Sequence, residues 1–440
     1  MSCVLAETHN FAANKILVDL WWRRLRILGG VAFLQVVVQL INALTGVIIV
    51  RTLDKSEYAL FTVAGSMLAL MSGLSDSGAQ TGLLSVGGKH HSDHRRLSRL
   101  VATALRLRFA LTAVSLALVG PMTWYLLVQN QASRWDAQLL LVSVVAGSFL
   151  STSSGVLLVP LRLVGEYTRV QLSELANASS RLLLSAVAVA ILPVAVLCTI
   201  SSVIASWIQN FALRWSAQRA LDLAAKPSAE DHQVLMSAVR LLWFPTVFSA
   251  FQAQIAIWIM GLFGTPSDVA DIGALGRFSA LFTVLVTVIT VTVAPTFARC
   301  QQRDQLVLLL LQAGTALGAA CGMLTFFAFV LPNPFLWVLG SSYAQLSTEL
   351  GLFFIANSLG VITMLLWAFV SSKMWVKYIW TIPPATLLVQ CLLPLLMDVS
   401  TIRGVIGFMI CSSLVPLAIT AGMATNGLRR MSHHSQCCPP

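Results

Sequence analysis

Charge is what this sequence lacks most. Of its 440 residues 10% are charged and 57% are hydrophobic, whereas soluble domains are about one-quarter charged. A soluble molecule with so few polar side chains could not cover its own surface, so the composition points to lipid as the solvent. No stretch between the apolar runs is long enough for a soluble catalytic domain of about 100 residues. No G-x-x-x-x-G-K-[ST] run occurs, which excludes P-loop ATP hydrolysis by the chain itself. The eight cysteines contain no C-x-x-C pair, and Cys198, Cys321, Cys391 and Cys411 fall in apolar runs, where they serve as small packing side chains. His90, His91 and His94 approach a metal-ligand spacing, but only Asp93 accompanies them, so no metal site is expected. Residues 1–15 lack the apolar core and small-residue cleavage site of a signal peptide, so none is expected.

What is present is a series of apolar runs of spanning length. They fall at 27–50, 57–80, 104–128, 138–160, 176–194, 196–217, 239–263, 271–296, 305–331, 346–371, 376–397 and 404–425, each near the 20 or so residues a spanning helix needs. The fifth and sixth are separated by little more than Pro193. Ile16, Leu17, Leu20 and Trp21 recur at helical spacing with Arg23, Arg24 and Arg26 behind them, the pattern of a helix lying in the membrane interface. The net charge of +11 would suggest nucleic acid in a soluble protein. Here 23 of the 28 cations fall in alternate segments, four on the opposite side and one, Arg277, inside a span. That is a positive-inside pattern, so the cations set topology against membrane lipids and no nucleic-acid partner is expected. The expected molecule is an all-α, polytopic membrane protein of about twelve helices with both termini in the cytoplasm. It is not expected to be an enzyme.

The polar stretch Lys226-Pro227-Ser228-Ala229-Glu230-Asp231 divides the runs into two sets of six. The expected organisation is a tail with an interfacial helix at 1–26, a first six-helix lobe at 27–217, a linker at 218–238, a second lobe at 239–425 and a tail at 426–440. An offset of 214 places Asp54 on Asp268 and Glu57 on Asp271, each in a short turn after the first span of its half. Six helices per half gives both halves one orientation, an arrangement in which a site forms between two bundles.

The end of the first run reads Val50-Arg51-Thr52-Leu53-Asp54-Lys55-Ser56-Glu57-Tyr58-Ala59-Leu60-Phe61. It resembles the R-x-L-G-p-x-e-y-G-l-y signature of polysaccharide flippases of the Wzx type, in the multidrug/oligosaccharidyl-lipid/polysaccharide (MOP) exporter superfamily, with Asp54 and Ala59 where the family usually has Gly. Ile272-Gly273-Ala274-Leu275-Gly276-Arg277-Phe278, followed by Ala294-Pro295-Thr296-Phe297, is similar to that superfamily's eighth helix. The resemblance, over roughly 27–425, implies two six-helix lobes around a cavity. The implied cargo is an undecaprenyl-pyrophosphate-linked oligosaccharide, moved to the periplasmic leaflet of the bacterial inner membrane for O-antigen, capsule or exopolysaccharide assembly, with a polysaccharide polymerase as partner. An ion-coupled exporter of drugs or metabolites and a membrane-embedded polymerase or ligase are the alternatives. The outer loops are short for the latter.

Candidate cargo-binding residues follow from polarity inside spans, which is expensive toward lipid. Arg277 lies six residues inside the eighth run, about 9 Å at 1.5 Å rise per residue; its fork suits pyrophosphate, but that depth also allows snorkelling to headgroups. Glu174, Asn177 and Arg181 share one helical face and form either a cavity stripe or an ion-paired helix contact. Arg106 and Arg108 open the third run and either attract an anion or anchor the helix. Gln252 and Gln254 are candidates for sugar hydroxyls or for helix-to-helix hydrogen bonds. Asp76 is the candidate for H+ or Na+ coupling, or a helix-end residue. No cofactor or metal is expected.

Overall fold

A computed structural model describes residues 34–89, 93–219, 221–222, 225–300 and 302–437. The interfacial helix expected at 16–26, and His90 and His91, lie outside them. The described residues are helical with no strand. Among the described residues twelve helices are long and apolar enough to cross a membrane, one for each predicted run. Their outward surface carries large apolar side chains, including Leu118 at 71% and Leu395 at 80% exposure. A water-soluble protein would bury such groups; lipid does not penalise them.

In chain order the helices are α1 (Leu34–Thr52), α2 (Lys55–Asp76), α3 (Ala79–Lys89), α4 (His94–Gln129), α5 (Arg134–Leu163), α6 (Tyr167–Ile191), α7 (Ala195–Ala217), α8 (Ala229–Gln252), α9 (Ile255–Phe263), α10 (Pro266–Leu275), α11 (Ser279–Val288), α12 (Ala294–Arg299), α13 (Arg303–Val330), α14 (Pro332–Leu339), α15 (Ser347–Ser372), α16 (Ile382–Leu396) and α17 (Ile402–Cys437). α6 and α7 are separate, with Pro193 in the extended link between them. A single 3-10 turn joins α10 to α11 and a π turn joins α11 to α12.

The helix boundaries depart from the apolar runs where polar caps extend a helix beyond its greasy centre. The cationic stretch 81–103, left between the second and third apolar runs, is mostly helix: α3 fills its first part and α4 begins at His94. The Asp93 carboxylate caps α4 by accepting the Arg95 and Arg96 amides, each at 3.1 Å; the bonds from Arg96 and Arg95 hold its carboxyl below the usual range. α6 starts at Tyr167 rather than 176, and α10 at Pro266 rather than 271. The latter start is a capping box: Thr265 Oγ accepts the Asp268 amide while Asp268 accepts the Thr265 amide. The stretch 332–345, left between the ninth and tenth apolar runs, contains α14 and a 3-10 turn. The seventh run is broken into α8 and α9 at Ala253–Gln254.

Helices α2, α4, α5, α6 and α7 pack on one another, and α13, α15, α16 and α17 do likewise. The first half of the chain meets the second where α10 lies against α2 and where α8 lies against α2, α3 and α4. Close approach there uses small residues: Gly73 faces Ala250, and any side chain on Gly273 would collide with Thr62.

The turns of the cation-poor end interlock across this seam. Lys55 Nζ pairs with Asp271 at 2.7 Å and reaches Ser267 Oγ at 3.3 Å, so the acidic turns aligned by the offset of 214 lie against each other. Arg51 donates to the carbonyls of Trp337 and Val338 and lies over the Trp337 ring. Arg403 binds Glu349 at 2.6 Å. Glu57 accepts the Ala195 amide at 2.7 Å, capping α7. Tyr343 is buried beside Tyr58 in this region; burial pushes its phenol up, so it remains neutral.

Candidate functional site

Between the two helix sets lies a cavity of about 470 Å³. One wall comes from Thr62 and Gly65 of α2, Arg181 of α6 and Ser202 of α7; the other comes from Gln254 and Arg277. Among the described residues, Arg181 and Arg277 are its only charged lining residues, and no carboxylate lines it. Both guanidinium-bearing side chains line this one space. Nε of Arg181 is buried without a hydrogen-bond partner among the described residues.

Arg277 is held by α1 and α2. Its Nε donates to Tyr58 Oη at 2.9 Å, and its guanidinium carbon lies 5.7 Å from the centroids of both Tyr58 and Phe61, a cation–π contact with each ring. Gly46 of α1 leaves room for the side chain. Neither arginine forms an ion pair among the described residues. Both lie well inside their helices. Arg277 lies eleven residues past Pro266, about 16 Å from that helix end, and Arg181 fourteen past Tyr167, about 21 Å.

The other candidates are dispersed. Glu174 pairs with Arg162 of α5 at 3.5 Å rather than with Arg181. Asn177 Oδ1 is buried and unpartnered, and neither Glu174 nor Asn177 lines the central cavity. Arg106 is exposed. Arg108 is buried at 4% exposure, 3.8 Å from Asp76 and 3.5 Å from Ser75 Oγ. Asp76 also accepts the Gln80 amide at 3.0 Å. The coupling-ion candidate and one cargo candidate are therefore partners of each other. Gln252 and Gln254 flank the α8–α9 break and face different spaces: Gln254 the central cavity and Gln252 a second cavity. There Gln252 exchanges reciprocal amide hydrogen bonds of 2.9 and 2.7 Å with Gln390. No group of three or more His, Cys, Asp or Glu suited to a metal occurs among the described residues.

Tyr58 was missed as a site residue. The available signal was a tyrosine inside an apolar run, whose hydroxyl needs a partner when buried. Lys55 with Asp271, and the second cavity, carried no sequence signal beyond the turn alignment.

No family model matches the chain, and no curated relative matches it. Solved structures do. An inward-facing multidrug resistance MATE family transporter of the MOP superfamily superposes with a TM-score of 0.67 at 16% identity, over 91% of this chain and 96% of that one. An outward-facing MATE family transporter gives 0.56 at 13% identity, over 91% and 94%. A MOP superfamily transporter from Pyrococcus furiosus, described as having a binding pocket of reversed polarity that suggests a different function, gives 0.60 at 14% identity, over 91% and 93%. Identities this low carry the fold and nothing finer: the chain has the twelve-helix architecture of the MATE transporters of the MOP superfamily.

Proposed function

We propose that the chain flips an undecaprenyl-pyrophosphate-linked oligosaccharide from the cytoplasmic to the periplasmic leaflet of the bacterial inner membrane by alternating access, for surface-polysaccharide assembly. The helix sets on either side of the central cavity are read as the lobes 27–217 and 239–425. Both termini are read as cytoplasmic from the charge bias. The observation that carries this reading is the cavity's charge: Arg181 and Arg277 without a carboxylate among its lining residues. Two cations held in a low-dielectric interior gain most from an anion placed between them, and a guanidinium fork matches phosphate oxygens in pairs. Sugar and pyrophosphate cannot cross hydrocarbon, whereas the lipid chain can stay in it.

The second reading is an ion-coupled exporter of drugs or metabolites, which the named function of the MATE neighbours favours. A cationic drug would meet two like charges here, so this reading requires an anionic or neutral cargo. A polymerase or ligase would need catalytic carboxylates, and the central cavity is lined by none. H+ or Na+ coupling through Asp76 would act on a carboxylate already facing Arg108.

The test is Arg277→Ala. Glycan display at the surface should be lost at normal protein level. Pyrophosphate affinity of the purified chain should fall by roughly tenfold to a hundredfold, the loss expected for charge-assisted bonds of about 1.5–3 kcal/mol. Unchanged display and unchanged pyrophosphate binding would remove the anionic cargo.

A further inference from the structure

Building on the anionic-cargo reading, we infer that the second cavity, enclosed by α8, α15, α16 and α17, holds the hydrocarbon chain of the cargo whose head sits at Arg181 and Arg277. This cavity measures about 850 Å³, within the roughly 300–1,000 Å³ of ligand sites. No charged residue lines it, and its walls include Phe248, Trp367, Ile379, Trp380 and Phe408.

Most hydroxyl donors of this cavity are already engaged. Ser249, Thr363, Thr386, Ser413 and Thr420 each donate to a carbonyl of their own helix. Gln252 and Gln390 satisfy each other. Ser412 alone among the lining hydroxyls and amides is buried without a partner. A sugar would find few free donors here beyond the Ser412 hydroxyl, the Trp367 and Trp380 indoles and one remaining N–H on each glutamine, and each polar group left unmatched costs free energy. A hydrocarbon chain asks for none of them and removes apolar surface from contact with water. Aromatic walls beside mostly engaged hydroxyls therefore favour a chain over a glycan.

Continuity gives the second, independent support. Ala253, Ala256 and Met409 line both cavities. The wall between the two spaces is thus small side chains and a flexible methionine, placed at the α8–α9 break. An amphiphile can span it, with its pyrophosphate at Arg277 and its chain beside Trp367. Gly360 lines the chain cavity, and a Cβ added there meets nothing within 4 Å, so a leucine side chain starts in open space and takes up part of the cavity. Leucine also suits a helix better than glycine.

The experiment uses the full chain in lipid nanodiscs and two photoprobes, farnesyl pyrophosphate and farnesol, each with a diazirine on the terminal isoprene. Labelled peptides are mapped by mass spectrometry, and inorganic pyrophosphate binding is measured alongside. Both probes should label 363–367 and 380–383. Gly360→Leu should cut that labelling at least fivefold and leave pyrophosphate binding unchanged. Arg277→Ala should cut farnesyl pyrophosphate labelling but not farnesol labelling. Label confined to lipid-facing Leu395 and Leu396, or label indifferent to Gly360→Leu, would overturn the assignment. Protection of the same peptides by maltotriose would give the cavity to a glycan and overturn it as well. Gly360-sensitive farnesol labelling in a chain that binds no pyrophosphate would support the chain cavity and sink the anionic-head reading.

Discussion

Arg108 and Arg277 are both arginines inside membrane-length helices, and they meet opposite surroundings. Arg108 is buried among α2, α4 and α5, faces Asp76 at 3.8 Å and presses against Gly155. Arg277 faces an open cavity, with a phenol and two aromatic rings as its partners. An intramembrane cation next to a carboxylate is already neutralised and serves the packing of its own helix set. One supported only by neutral and π-rich groups keeps its charge available for something brought from outside. The difference lies in the partner, which belongs to another helix and is invisible in the run of residues around the arginine.

Breaking the Arg108 pair should produce the largest effect, and on stability. Asp76→Asn keeps an oxygen for the Gln80 amide but leaves a guanidinium buried at 4% exposure without its countercharge. Removing one member of a buried pair costs about 3–5 kcal/mol. Thermal unfolding in detergent should show a marked loss, and the double change Asp76→Asn with Arg108→Met should recover most of it, because it removes the stranded charge. Arg277→Ala, in contrast, should leave the unfolding transition close to that of the unaltered chain while pyrophosphate binding falls. If Arg277→Ala also unfolds the chain, the two arginines are alike and the contrast fails.

Lys55 tests an intermediate case, a cation with a carboxylate partner across the seam rather than within one helix set. Lys55→Ala removes the 2.7 Å pair with Asp271 and the contact with Ser267, both at the cation-poor end. A partly exposed pair worth about 1 kcal/mol shifts a two-state equilibrium about fivefold. A cysteine placed at Gly65, which lines the central cavity and has open space beside it, should therefore react severalfold faster with a membrane-impermeant thiol reagent added from the cation-poor side. An unchanged rate would mean that this end is held shut by Arg51 and the buried aromatic contacts alone.

The twelve spans were legible because each is a long apolar run and because cations alternate between their ends. The boundaries of α4, α6 and α10 were less legible, since helices continue through polar residues once Asp93 or Thr265 caps them. That shortfall mattered for the site. It set Arg277 six residues from the start of its apolar run, whereas its helix begins eleven residues earlier at Pro266. The break at Ala253–Gln254 carried no punctuation of its own, because Pro245 lies eight residues earlier inside α8. As a result Gln252 and Gln254 looked equivalent, yet they face separate cavities.

The smallest effect belongs to Arg106, two residues from Arg108 on the same helix. It is exposed and lines neither of the two cavities, whereas Arg108 is almost fully buried. Two residues on a helix are about 200° apart around its axis, so the buried and exposed faces of α4 divide this pair. Arg106→Ala should change neither unfolding, surface substitutions being worth about 0.5 kcal/mol or less, nor pyrophosphate affinity measured at physiological salt, where an exposed charge is largely screened beyond about 8 Å. A measurable drop in affinity that vanishes at high salt would instead show that Arg106 steers an anion toward the cavity. That outcome would place exposed cations of the cation-rich end, alongside Arg277, in the path of the cargo.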